Sequence, residues 1–149
     1  MKINLKPYQQ EKPYTCLPAC CRTVLAFLGQ CLTEDEIVSL CGTRKSGTLL
    51  IDALHGIQQL GFNVTLIKDG TLDLLLDYLY KHEPVIVGIA TDKLPYGTTG
   101  GHAIVVCGVE EEKIVYIDPV TGSEERLDLF AFMRAWRRQN SRALIISRR

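Results

Sequence analysis

Pro13-Tyr14-Thr15-Cys16-Leu17-Pro18-Ala19-Cys20-Cys21-Arg22-Thr23-Val24-Leu25-Ala26-Phe27-Leu28-Gly29 is the stretch from which the rest of the chain can be read. Leu17, Cys20 or Cys21, Val24, Leu25 and Leu28 recur at helical spacing. Pro18 is tolerated in a first turn, where its missing N–H costs nothing, and Gly29 offers a C-terminal stop. The spacing predicts a helix over residues 17–28, with Cys16 at the junction of loop and helix. A helix N-terminus carries partial positive charge and free N–H groups. Both favour a thiolate, the reactive form of cysteine. Cys20 and Cys21 lie inside the apolar run and read as small, inert hydrophobes.

Outward from this helix the pattern stays helical and then changes. Thr33-Glu34-Asp35-Glu36 has the capping-box pattern, so a second helix is expected up to about Cys41, before Gly42. A third is expected over 49–60. Residues 62–67 alternate like a short strand, and 72–81 read as a helix with Thr71 as cap. Residues 84–90 are β-branched and read as a buried strand. A Gly-rich loop follows, from Pro95 to Gly101. Strands are predicted at 102–109 and 113–117, split by the acidic turn Glu110-Glu111-Glu112. A helix is expected at 129–138 and a closing strand at 143–147. This order argues an α+β fold, with N-terminal helices packed on a mostly antiparallel β-sheet. No repeat or linker interrupts it, so residues 1–149 read as one domain.

The bulk properties narrow the function. The 149 residues are 46% apolar and 23% charged, enough to bury a real core. Lys plus Arg and Asp plus Glu are both 17, so the formal charge is zero and gives no electrostatic case for nucleic acid or an acidic membrane. The arginines near the C-terminus read as a solvated helix face. The first residues lack the apolar segment of a signal peptide, and no run approaches the roughly 18 apolar residues of a membrane span. A cytoplasmic protein is expected. The six cysteines, Cys16, Cys20, Cys21, Cys31, Cys41 and Cys107, then read as free thiols. None are spaced as C-x-x-C, and the histidines lie far from the cysteine cluster in sequence, so neither a zinc site nor another cofactor is expected.

Three further residues have chemistry that can serve Cys16. His102 follows Gly100-Gly101 and opens the run Ala103-Ile104-Val105-Val106-Cys107-Gly108. From the mouth of a buried strand it can take a thiol proton and return it to a leaving amine. Asp118 ends the next strand, before Pro119. If the hairpin turns so that Val109 lies opposite 111 or 112, His102 lies opposite 118 or 119. Asp118 could then hold the imidazole in one tautomer. Gln10, six residues before Cys16, can offer a side-chain amide to an oxyanion, with a backbone N–H at the helix start as second donor. Gln9 is the alternative.

Gln10, then Cys16-Leu17-Pro18-Ala19-Cys20 opening a helix, then Gly101-His102-Ala103-Ile104-Val105-Val106, then Asp118-Pro119, resembles the bacteriocin-processing peptidases of the papain-like clan. Gly47-Thr48 and the segment from Phe130 to Trp136 extend the resemblance over most of the chain. Such peptidases are best known as N-terminal domains of peptide-exporting transporters, where they cut leader peptides after a double glycine. The resemblance implies a papain-like fold with Cys16 as nucleophile, His102 as base and acid, Asp118 as orienting residue and Gln10 as oxyanion donor. Transporter-linked members usually have Asp-Cys-Gly at the nucleophile. Thr15-Cys16-Leu17 followed by Pro18 departs from that and brings the match closer to stand-alone relatives. A peptide or protein substrate is implied, with an association with an export or maturation system. The segment from Thr91 to Gly101, with Tyr96 and its glycines, is expected to border the cleft and to favour small substrate residues such as Gly-Gly. Deamidation, transamidation or peptide ligation would share the first half-reaction, and a non-enzymatic binding module would keep the fold alone.

Overall fold

The computed structural model describes residues 1–91 and 101–149. Helix α1 runs Cys16–Phe27, α2 Glu34–Cys41 and α3 Leu50–Gln58. Strand β1 (Asn63–Ile67), helix α4 (Leu72–Tyr80) and strands β2 (Val85–Ala90), β3 (Gly101–Glu110), β4 (Lys113–Asp118) and β5 (Ser123–Asp128) follow. Helix α5 (Leu129–Arg137) and strand β6 (Ala143–Ser147) complete the chain. The caps explain several of these boundaries. The Thr33 hydroxyl accepts the Glu36 N–H while the Glu36 carboxylate accepts the Thr33 N–H, and Gly42 closes α2 in the left-handed region at φ 62°.

The six strands form one sheet in the order β1-β6-β2-β3-β4-β5, with antiparallel neighbours throughout. Ile67, Ala143 and Ile145 gather around Trp136 of α5 together with Leu75 and Tyr78 of α4. Leu66, the neighbour of Ile67, instead meets Leu50 of α3. Successive strand residues point to opposite faces, so α3 lies on one side of the sheet and α4 and α5 on the other. Helix α1 packs on β3 and against α2. The buried residues form one continuous apolar cluster through these layers.

Two expectations are corrected. Strand β5 is absent from the sequence reading, because Ser123-Glu124-Glu125-Arg126-Leu127-Asp128 carries no apolar alternation. It is an edge strand, paired on one side only and largely solvent-facing, and charged side chains are what such edges carry. The register of the β3–β4 hairpin also differs. Glu111 and Glu112 take φ 51° and 63°, a tight two-residue turn that pairs Glu110 with Lys113 and Val109 with Ile114. His102 is therefore not level with Asp118. A register shift lies between Val106, which pairs with Tyr116, and Gly108, which pairs with Val115, leaving Cys107 as an extra residue.

That bulge has a consequence for the site. Continuing the Val105–Ile117 pairing by one puts Asp118 across from Ile104, on the same face as His102 two residues further on. Without the extra residue, Asp118 would stand across from Val105, and His102 would point to the other face. The N-terminal segment holds the bulge: the Ile3 N–H donates to the Cys107 carbonyl at 2.8 Å and the Val109 N–H to the Met1 carbonyl at 3.0 Å. Gly108 is required by this contact, since a Cβ there would lie 2.5 Å from the Met1 carbonyl oxygen.

Candidate active site

Cys16 is the first residue of α1 and is half-buried. The N-cap residue, Thr15, makes no side-chain cap to the helix. Its hydroxyl turns back, accepting the Lys12 N–H at 3.0 Å and donating to the Lys12 carbonyl at 2.9 Å. The opening N–H groups of the helix, which have no intrahelical acceptor, are thus left for the thiol and for a ligand. Burial acts to raise the Cys16 pKa. The His102 side chain, the Ala103 N–H, the His102 charge and the Leu17 N–H together outweigh it and hold the thiol below its ordinary value. The other buried thiols go the opposite way. Burial pushes Cys20 and Cys21 well up, Cys41 to about 11 and Cys107 to about 12. Among the buried and half-buried thiols, Cys16 is the one whose surroundings favour the thiolate.

His102 is 8% exposed and Asp118 1%. The His102 Nε2 lies 2.9 Å from Asp118 Oδ1, and the same oxygen accepts the Val120 N–H at 3.0 Å. A hydrogen bond from Nε2–H leaves Nδ1 as the nitrogen to exchange a proton with Cys16. Burial acts to lower the imidazole pKa, but hydrogen bonds to Asp118 and Cys16 and their negative charges raise it to about 9. The two shifts share a cause, since the charge of each group favours the ionised form of the other.

The predicted residues reach this centre unequally. Cys16, His102 and Asp118 come together from α1, β3 and the end of β4. Gln10 lies in the preceding loop, outside the residues that line the cleft. Its backbone N–H donates to the Pro119 carbonyl at 2.8 Å and its side-chain Nε2 to the Lys12 carbonyl at 2.9 Å. Its Oε1 is buried with no hydrogen-bond partner among the described residues. Gln9, the alternative, spends its amide on the Val120 carbonyl at 3.1 Å. Of the expected border from Thr91 to Gly101, residues 92–100, Tyr96 included, lie outside the described residues.

A cleft of about 590 Å³ opens at Cys16 and His102, with Gly88, Gly101 and Ala103 along its floor. Its other wall is residues 45–50, where the sequence pointed to Gly47-Thr48 through the resemblance but assigned no part in the cleft. There Arg44 and Gly47 exchange backbone hydrogen bonds at 3.1 and 2.9 Å, with Gly47 at φ 110°, and the Thr43 and Thr48 hydroxyls meet at 2.6 Å. Arg142 and Gln139 close the far end, held there because Trp136 Nε1–H donates to the Arg142 carbonyl at 2.8 Å. Lys45 and Arg142 give the described lining two cations and no carboxylate. A polar turn with one glycine between two helices was the available signal for the wall; nothing local marks Gln139 or Arg142.

Residues 2–144 match the model of the Peptidase_C39 like family. The chain belongs to the C39-like peptidase family. An uncharacterized protein of Methanothermobacter thermautotrophicus is 31% identical over 113 residues, which are 76% of this chain and 70% of that protein. Among solved structures, the peptidase domain of Streptococcus ComA, a bi-functional ABC transporter involved in a quorum sensing pathway, superposes with a TM-score of 0.80 at 23% identity, covering 98% of this C39-like chain and all of that one (coverage 100%). A double glycine motif protease from an AMS/PCAT transporter, solved with its leader peptide, gives a TM-score of 0.74 at 16% identity, covering 99% and 94% of the two chains. At these identities the structural likeness shows the fold: this C39-like chain has the papain-like architecture that the resemblance implied. No helix among the described residues is long and apolar enough to cross a membrane.

Proposed function

We propose that the protein is a cysteine peptidase that cuts a peptide bond through a thioester on Cys16. The observation that carries the proposal is the buried chain from Asp118 through His102 to Cys16, with a 2.9 Å bond at one end and a depressed thiol at the other. The Cys16 sulfur attacks the scissile carbonyl, and the oxygen becomes an oxyanion. The Cys16 N–H, at the uncapped start of α1, is one donor to it. The other donor in this reading is the second N–H of the Gln10 amide, whose side chain bonds the Lys12 carbonyl and does not line the cleft here. The His102 imidazolium protonates the leaving amine as the C–N bond breaks. It then takes a proton from water, which attacks the thioester and restores the thiol. Asp118 holds Nε2–H and stabilises the imidazolium.

The substrate is a peptide or protein segment lying along the cleft, with small residues such as Gly-Gly beside the floor of Gly88, Gly101 and Ala103. The likeness to peptidase domains of transporters supports an association with an export or maturation system. Six free cysteines, one of them an activated thiol, support work in a reducing compartment such as the cytoplasm. The test is a mixed peptide library incubated with the protein and with Cys16→Ala, read by product mass. Cleavage by the former alone, with new amino and carboxyl termini, is expected. Products joined to a second amine, or a mass gain of one unit at Gln, would replace hydrolysis with another acyl transfer.

A further inference from the structure

The buried carboxylate of Glu34 has no part in the chemistry above, yet it touches the loop that carries it. Glu34 is the first residue of α2 and is 1% exposed. Both of its oxygens accept the Glu11 N–H at 3.2 Å, while the single Thr15 hydroxyl proton goes to the Lys12 carbonyl at 2.9 Å. Glu11 follows Gln10 and Thr15 precedes Cys16. The carboxylate therefore grips the first residue of the five-residue turn between the two oxyanion donors, and the Lys12 carbonyl ties that turn to Thr15 at its other end.

The grip continues on either side. Within the turn, the Lys12 carbonyl accepts from Thr15 N–H at 3.2 Å, from the Thr15 hydroxyl at 2.9 Å and from the Gln10 amide at 2.9 Å. Arg22 of α1 is the cation facing this carboxylate. It bonds the Glu11 side chain at 3.2 Å and the Leu32 carbonyl at 2.9 Å, which joins α1, the turn and the start of α2. On the far side, the Gln10 N–H is fixed to Pro119, next to Asp118. A buried carboxylate is costly unless it is well bonded, and an apolar residue would fill this space at lower cost. Its hydrogen bonds go to the backbone of one turn.

We infer that Glu34 is a positioning residue for the oxyanion site: it holds residues 11–15 so that the Gln10 amide and the Cys16 N–H converge on one oxygen. The inference rests on the reading of Gln10 and Cys16 as oxyanion donors but not on peptide hydrolysis as the overall reaction. Its test compares two reactions of the same thiol. Alkylation by iodoacetamide needs the thiolate and builds no oxyanion. Acetylation by p-nitrophenyl acetate passes through a tetrahedral oxyanion. Both rates are measured at Cys16 by peptide mapping, on wild type, Glu34→Gln and Glu34→Ala.

Loss of one oxyanion donor costs ~10²–10³ in rate, so partial displacement of both is expected to slow acetylation by about tenfold or more in Glu34→Ala. Glu34→Gln keeps one acceptor oxygen for the Glu11 N–H and should fall between Glu34→Ala and wild type. Alkylation should stay within about twofold of wild type in both. If acetylation and alkylation fall together, Glu34 only supports the fold and the inference is overturned. Equal acetylation in all three proteins overturns it as well. Should Glu34→Ala not fold, Glu34→Gln alone decides by the same ratio. A wild type that acetylates at Cys16 but cuts no peptide would overturn the hydrolytic reading and leave the role of Glu34 standing.

Discussion

Asp118→Asn separates the charge of the orienting residue from its shape. In the serine-protease triad an Asn at the equivalent role presents its amide nitrogen to the histidine, the wrong tautomer results, and the rate falls ~10⁴-fold. Here the oxygen that meets His102 Nε2 at 2.9 Å also accepts the Val120 N–H at 3.0 Å. An Asn amide nitrogen in that place would face a donor, so Val120 should keep the Asn oxygen where Asp118 Oδ1 now lies. The tautomer is then preserved and only the charge is lost. A hydrogen bond to a charged group is worth ~1.5–3 kcal/mol net and a neutral one ~0.5–1.5, a difference of about 1–1.5 kcal/mol. That converts to about tenfold in the thiolate–imidazolium population. Asp118→Ala removes the acceptor of both the His102 and Val120 donors and loosens the hold on the ring, so a loss of ~10³ or more is expected. The assay is kcat/KM on a cleaved peptide, together with the pH dependence of Cys16 alkylation. In Asp118→Asn the rise of the alkylation rate should move to higher pH by about one unit. If Asp118→Asn proves as damaging as Asp118→Ala, Val120 does not orient the residue and the reasoning fails.

Other predictions follow from the same geometry. Because the Cys16 thiol is held below its ordinary value and His102 is raised to about 9, kcat/KM should climb at a pH below the usual thiol range and decline near pH 9, where the proton for the leaving amine is lost. Alkylation of Cys16, which needs no acid, should climb with it and not decline. The raised His102 pKa also means that its contribution to stability is full below about pH 6.5 and is lost as pH rises to about 9, measurable by denaturant melts of wild type against His102→Ala. Arg142→Glu reverses one of the two cations of the cleft and should raise KM for peptides with a Glu near the cut, by up to about fivefold for an exposed pair, while lowering it for Lys counterparts. Equal KM values would show that Arg142 does not meet the substrate. Gly108→Val places a Cβ 2.5 Å from the Met1 carbonyl oxygen and should loosen the bulge, lowering activity more than a backbone-strain control away from the bulge, Gly42→Ala just after α2. Unchanged kcat/KM would detach the bulge from the His102–Asp118 alignment.

The parts of the fold that follow from local patterns were legible in the sequence. The helix after Cys16, the capping box at Thr33 and the apolar runs of β2, β3 and β6 each announce themselves within a few residues, and the structure has them within two residues of the expected bounds. The pairing of His102 with Asp118 was anticipated for an inexact reason. The turn at Glu111 and Glu112 is tighter than assumed, and the residues are brought to one face by an extra residue at Cys107. Gly108 inside a strand was the signal for that bulge, since strand glycines mark bulges and close backbone approaches. Its cause, the Met1 to Ile3 segment lying alongside, is a contact between residues a hundred positions apart that no window shows. Strand β5 was hidden because an exposed edge has no apolar period to read. Glu34 and Arg142 were hidden for another reason: an acidic first turn and a stray arginine are ordinary features until the fold brings Glu11, Thr15 or the cleft beside them.

The central claim is that Cys16 is an activated thiolate paired with His102. Its most direct test is the rate of iodoacetamide labelling near neutral pH, read by intact mass and peptide mapping on wild type and His102→Ala. The account predicts fast, single-site labelling at Cys16 that slows markedly in His102→Ala. Slow labelling spread over several of the six cysteines and unchanged by the substitution would contradict it.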